Sequence, residues 1–370
     1  MKLTVLQENL NKAISNVERF VSSKAQLPVL ANVCLKAEKG RLCLQATNLE
    51  TGITLWLGAK IEKEGAITVP ARIFSEFISS LPKEKVKLEL KDKLLAVSCG
   101  SFSASFTGIA ADEFPPLSSS EDKKPDLVFP FSSFLPAIEK VSFAAARDEG
   151  RPVLTGVKFE PRGEKLILAA TDGYRLSVKE LKKSEIKISS PLIIPARSLL
   201  EILKIVGESE EENIGLNFTE KGNQIVFSLP NVEIVTRLIE GEFPEYQKII
   251  PASLSTKVVL EKENFLKALK TAAIFARDSA NIVRLKIEKN ALVISANSPQ
   301  VGENRTGVEA KVEGKEDQIA FNCRFLLEFL GKIEEEEIVF EMSGALNPGV
   351  FKTPQDSSYL HIIMPVRVQE

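Results

Sequence analysis

Three copies of one pattern run along this chain, and the length of that repeat is what most limits its fold. Ala46-Thr47-Asn48 returns as Ala170-Thr171-Asp172 and again as Ala296-Asn297-Ser298. Val69-Pro70-Ala71-Arg72 returns as Ile194-Pro195-Ala196-Arg197, then as Phe321-Asn322-Cys323-Arg324. Both landmarks recur at about 125 residues, far beyond the roughly 20–50 residues of a solenoid unit. Each copy is large enough to bury its own core, and a chain of 370 residues accommodates three of them. A repeated domain directs attention to a function of the assembled shape rather than of one catalytic pocket.

Within each copy the apolar spacing alternates between two periods. Leu10, Ala13, Ile14, Val17, Phe20 and Val21 recur at helical spacing. So do Phe134, Ala137, Ile138 and Val141, with Ser132 and Ser133 as capping candidates and Pro136 in the first turn, and so do Phe265, Ala268, Leu269, Ala272 and Ala276. A second helix follows each arginine landmark, carrying Phe74 and Ile78, Leu199 and Ile202, or Leu326, Phe329 and Ile333. Between helices the period falls to two, as in Leu42, Leu44, Ala46 and in 166–170, 214–218, 225–229 and 292–296. The expected fold is α+β: three similar domains, each with two helices packed on antiparallel sheets. Polar Ser118–Ser120, and Glu242-Phe243-Pro244 echoing Glu113-Phe114-Pro115, set boundaries at 1–124, 125–251 and 252–370.

The formal net charge of −2 argues against a tight, phosphate-dominated DNA binder unless basic residues gather on one face. Arg72, Arg197 and Arg324 share one repeat position, where a cation opposes the helix dipole at a cost of about 0.3–1 kcal/mol. Recurrence at such a position suggests a basic lining, which Lys12, Arg19, Lys140, Lys204, Lys267 and Lys332 could extend. The alternative is ordinary solvated charge paired with Glu18, Glu139 and Glu201. The four cysteines lack CxxC spacing and read as buried thiols, while a lone histidine, His361, leaves little for metal or histidine catalysis. No phosphate loop, zinc motif or nucleophile elbow occurs, so no cofactor, metal or catalytic residue is expected. No apolar run is long enough to cross a bilayer, and none resembling a signal peptide follows Met1, so no membrane is expected.

Two strings stand out locally. Thr171-Asp172-Gly173-Tyr174-Arg175-Leu176 is first a turn signal, and second a way to present an aromatic, a cation and an apolar anchor near a domain junction. The Met364-Pro365 pair after Ile362 and Ile363 either ends a sheet or walls an adaptable apolar pocket.

These strings, together with 27–32, 46–50, 69–72, 111–115, 241–246, Phe321-Asn322 and 364–367, give the chain a full-length resemblance to the bacterial sliding-clamp family, the DNA polymerase III β subunits. The resemblance implies a head-to-tail homodimer closed into a ring, with helices lining the hole. Such a ring would be a processivity factor that encircles duplex DNA without reading sequence and tethers the replicative polymerase, with no catalysis of its own. It implies contacts to the DNA polymerase III alpha subunit, to the delta subunit of the clamp loader, and to other polymerases and repair proteins. The location implied is cytoplasmic and nucleoid-associated. A repair-specialised clamp paralogue, a peptide-binding scaffold that never meets DNA, and an enzyme built around Asp172 are the competing readings.

By the same likeness, partner peptides dock where the second and third domains meet. The central domain supplies Leu154, Thr171, Gly173, Tyr174, Arg175 and Leu176, followed by Pro244, Lys248 and Ile249. The last domain supplies Asn322, Phe325, Leu346 and Pro348, and the tail supplies Ile362, Ile363, Met364, Pro365, Val366 and Arg367. Tyr174, Lys248 and Val366 depart from the family's commonest residues. The DNA-facing set is Lys24, Arg72, Arg147, Arg151 and Arg197, with Arg147 and Arg151 chosen because Asp148 carries the wrong charge. The ring interface would use the edge strand at 102–107, with Phe102 and Phe106, against Ile274 and Phe275.

Overall fold

The computed structural model describes residues 1–22, 27–38, 40–120, 123–148, 150–182, 190–207, 212–219 and 222–367. Six α-helices occur among them: α1 Gln7–Glu18, α2 Ala71–Ser80, α3 Phe131–Ser142, α4 Ala196–Val206, α5 Lys262–Ala276 and α6 Cys323–Leu330. Each arginine landmark lies in the first turn of α2, α4 or α6, as its spacing predicts.

Several boundaries differ from the periodicity. Phe20 and Val21 lie beyond α1, yet Phe20 stays buried because its amide closes a last turn on Val17. Ser132 and Ser133 lie inside α3 and do not cap it. The first of the free N–H groups, that of Phe131, bonds the Glu212 carbonyl at 2.8 Å. Pro136 falls in the second turn of α3, and Ile333 lies past the end of α6.

The chain forms two compact units. The first, Met1–Phe131 with Glu201–Leu238, holds two antiparallel sheets. A five-stranded sheet runs from Lys60–Lys63 through Lys2–Leu6, Lys85–Lys91 and Leu94–Cys99 to Phe102–Thr107, its outermost strand. In the eight-stranded sheet, Val232–Arg237 pairs with Thr51–Gly58, setting Ile234 opposite Ile53 and making one sheet of strands from two copies. Gly52 lies at this seam, where a β-carbon would sit 2.7 Å from Leu117. α1 and α2 pack together, burying Leu10, Ile14, Val17, Phe74 and Ile78 completely. Each such side chain is worth about 1.5–3 kcal/mol of transfer free energy. Glu233, 4% exposed, accepts hydrogen bonds from the Ser120 amide and hydroxyl at 2.9 and 2.8 Å. The polar linker is therefore fastened at its end rather than loose.

The second unit, Ser132–Leu200 with Ile239–Glu370, contains one antiparallel twelve-stranded sheet. Here Arg175–Lys182 pairs with Asp356–Ile363, placing Leu176 opposite Ile362 and Ser177 opposite His361. The C-terminal part of this unit has an aromatic core in which Phe340 and Phe351 stack at 4.9 Å and Phe321 meets both edge-on. Residues 302–309 pair on one side with Ala291–Ser298, and no strand covers their other side among the described residues. Asp317–Asn322 is the last strand of the sheet. The four cysteines are buried and free, and no helix among the described residues is long and apolar enough to cross a membrane.

One ionic network fixes the seam of the second unit. Lys179 Nζ lies 2.6 Å from Asp356, Lys140 Nζ lies 2.8 Å from Glu335 and 3.4 Å from Asp356, and all four side chains are less than one-fifth exposed. Lys140 is thus held inside the protein and does not join a basic surface. Burial opposes ionisation of Asp356, but the hydrogen bonds from Lys179 and Ser358 and the lysine charges outweigh it and hold the pKa at about 2, against 3.8 when unfolded. The carboxylate therefore stabilises the fold above pH 3.8 by roughly 2 kcal/mol. That contribution disappears as pH falls from 3.8 to about 2. The urea midpoint should fall steeply across this window, and Asp356→Asn should flatten the slope. An unchanged slope in the variant would contradict the assignment.

Candidate peptide-binding site

The seam strand begins at a turn that the sequence encodes side chain by side chain. Thr171 Oγ1 donates to the Arg175 carbonyl at 2.6 Å and accepts from the Gly173 amide at 3.0 Å. Asp172 Oδ1 accepts from the amides of Tyr174 and Arg175 at 2.9 and 3.0 Å. Gly173 takes φ of 91°, a conformation only glycine adopts without strain. The turn lifts Tyr174 into solvent, 66% exposed, with its ring near that of Phe325 at 6.5 Å between centroids. The tail is tied to the same turn, since the Met364 amide donates to the Tyr174 carbonyl at 2.8 Å. Asp172, the acid of the enzymatic reading, is occupied by this turn and by Arg175.

Of the expected trio of presented groups, only Tyr174 is presented. Arg175 is 5% exposed and Leu176 1%: adjacent strand residues face opposite sides of the sheet, and here both sides are covered, by Phe143 and Phe325 over Arg175 and by Tyr246 over Leu176. The Arg175 guanidinium bonds Asp172 at 3.1 Å, donates to the Phe143 carbonyl at 2.9 Å, and pairs with Glu328 at 2.5 Å. Its charge lies over the rings of Phe325 and Phe143, at 4.7 and 5.3 Å. Leu176, Ile362 and Tyr246 form an apolar floor with Ile249 packed against it, while Ile363 joins the C-terminal core. Behind the floor, His361 Nδ1 shares a hydrogen bond with Ser177 Oγ at 2.7 Å and stacks on Phe329. Burial, and then the Arg175 charge, push its pKa well below the ordinary histidine value, so the ring is neutral and structural.

The remaining residues surround this floor. Leu154 is buried beside a cavity of about 410 Å³ that Arg151, Asp172, Gly173 and Tyr174 also line. Pro244 and Lys248 are exposed, with Lys248 paired to Glu245. Asn322 is spent on capping α6, its Oδ1 accepting from the Arg324 amide at 3.0 Å. Leu346 is 66% exposed, and Pro348, Pro365 and Val366 are half-buried. Leu346, Val366 and Arg367 line a second cavity of about 370 Å³. Phe143 and Glu328 complete the Arg175 cradle and were not predicted. They lie 32 and 153 residues from Arg175 along the chain, with no local motif to mark them.

The other predicted residues are placed as follows. Arg72, Arg147, Arg151 and Arg197 are exposed, Arg72 pairing with Glu76 at 3.0 Å and Arg147 with Glu328 at 3.6 Å. Lys24 lies outside the described residues. The solvated pairings of the alternative reading occur at Glu139 with Lys332, and at Glu201 with Lys204 and Arg19. Phe102 is 50% and Ile274 57% exposed, with Phe275 half-buried. Phe106 is not available at a surface: 8% exposed, it packs edge-on against Phe74 and Phe77 at 5.3 and 5.7 Å.

Three repeats of a two-helix α+β domain, with sheets continued between copies, define a clamp-type fold. The comparisons with known proteins agree over the whole chain. The N-terminal, central and C-terminal domains of the DNA polymerase III beta subunit match residues 1–118, 129–245 and 247–367. The beta sliding clamp of Synechococcus elongatus is 32% identical over all of both chains, and that of Bacillus subtilis is 30% identical over 99% of this chain and all of its own. Among solved structures, the Bacillus subtilis sliding clamp superposes with a TM-score of 0.94 at 29% identity. The Thermotoga maritima beta subunit superposes at 0.92 and 31%, each covering both chains completely. The chain belongs to the DNA polymerase III beta subunit family of sliding clamps, the processivity factors of DNA replication.

Proposed function

We propose that this chain works without catalysis, as half of a closed ring around duplex DNA that holds replication proteins by short peptides. The observation carrying the reading is the full-length match of all three domains, in order, to one family of clamps. Two open strand edges support head-to-tail dimerisation: Phe102–Thr107 with its exposed Phe102, and residues 302–309, which α5 packs beneath. Joining such edges removes unpaired backbone groups from both. The exposed Arg72, Arg197 and Arg324, one per domain, supply the DNA-facing charge, and the net charge of −2 keeps the attraction weak enough for sliding. The protein would act in the cytoplasm, at the nucleoid.

The DNA polymerase III alpha subunit, the clamp-loader delta subunit and further polymerases and repair proteins would share one docking place, the apolar floor at Leu176 and Ile362. There Tyr174, Met364 and Leu346 stand exposed as adaptable anchors, 66%, 37% and 66% accessible. The Tyr174→Ala, Met364→Ala double variant should keep the dimer by sedimentation and lose at least about tenfold in affinity for a peptide from the alpha-subunit tail. Unchanged affinity would refute the docking site.

A further inference from the structure

The second cavity continues beyond the predicted peptide site. Its floor is Ile319 and Ala320 on the outermost strand, and its wall is Leu346 and Val366. The Val366 amide donates to the Ala320 carbonyl at 2.8 Å, so the tail itself forms the rim shared with the peptide site. Two arginines flank the groove, Arg284 and Arg367. Both are exposed, and neither makes an ion pair or side-chain hydrogen bond among the described residues. Their guanidinium groups are open to a ligand, unlike those of Arg72, Arg147, Arg162, Arg175 and Arg305, which have carboxylate partners. Arg284 also borders a further cavity of about 480 Å³ over the same sheet face, together with Lys286 and Arg305.

We propose that this groove receives an acidic stretch of partner chain flanking the apolar peptide, its carboxylates pairing with Arg284 and Arg367. The inference rests on the docking-site reading above and extends it to a selective feature that Arg284, absent from that site, would supply. An apolar floor leading to unpaired guanidinium groups suits an aliphatic segment followed by carboxylates. A DNA phosphate would gain nothing from Ile319, Ala320 and Leu346. Guanidinium forks bind carboxylates bidentately, so placement of the acid matters as well as charge.

The test uses the full-length protein and three fluorescein-labelled peptides read by anisotropy: the alpha-subunit tail peptide, and the same peptide with three glutamates added at its N-terminus or at its C-terminus. One extended form should bind about three- to tenfold more tightly at low salt, the gain vanishing at high salt. Arg284→Glu should leave the unextended peptide's affinity unchanged and abolish or reverse the gain. Arg284→Lys should recover part of it. If neither extension tightens binding, or if the gain survives Arg284→Glu, the acidic-segment proposal is wrong while the docking site stands. If the unextended peptide does not bind the unaltered protein, the docking site itself fails and this proposal falls with it. Displacement of the extended peptide by a short duplex would assign the arginines to phosphate and overturn the proposal.

Discussion

An Arg175→Ala variant is expected to lose about 3 kcal/mol of folding stability in the second unit and to lose peptide capture with it. The side chain is 4% exposed and holds two carboxylates, Asp172 and Glu328, together with the Phe143 carbonyl. Removing it leaves those acceptors without their shared cation in a partly dry setting, which costs more than the pair contributed. Glu328 is 31% exposed and can recruit water, which places the effect at the low end for a buried pair. The functional loss follows from position. Asp172 is the acceptor that shapes the Tyr174 turn, and without Arg175 it is free to leave that role. Urea unfolding and peptide anisotropy measure the two effects. Adding Glu328→Gln should recover part of the stability, because the largely exposed Arg147, 3.6 Å away, compensates that charge only weakly. Arg175→Lys should recover less than charge alone predicts, since an ammonium cannot span three acceptors from one plane. Full stability and binding in Arg175→Ala would show that the cradle is incidental.

Arg175 also illustrates what the sequence discloses and what it hides. The Thr171-Asp172-Gly173 turn is local chemistry, with donors and acceptors within four residues, and can be read from the string itself. So can the helices after each arginine landmark, because burial at period 3.6 needs no distant partner. Whether Arg175 faces solvent is decided by Phe143 and Glu328, which reach it only through the fold. The same holds for Lys140, whose helical spacing suggests a surface charge until Glu335 and Asp356 close over it. Phe106 reads as an edge residue, but Phe74 and Phe77 enclose it. The α3 serines read as caps but lie inside the helix, whose first N–H, that of Phe131, reaches the distant Glu212 carbonyl. Local signals place turns and helices, whereas charge and aromatic roles depend on tertiary partners far along the chain.

The repeat that organises the chain bears most directly on how it would hold DNA. A protein bound by phosphate contacts weakens steeply with salt, by about 0.9 in log affinity per neutralised phosphate for each decade of salt. A closed ring need not, because its attachment is to the shape of the circle. With a net charge of −2, this chain has little bulk attraction for a polyanion, and the proposed ring assigns retention to topology. The decisive measurement is to load the protein onto nicked circular DNA with clamp loader and ATP, raise the salt, and then linearise the circle with a single cut. Protein that stays on the circle through the salt step and is lost after the cut is the predicted result. Protein that dissociates in salt while the DNA is still circular, or that remains on the linear molecule with free ends, would contradict it.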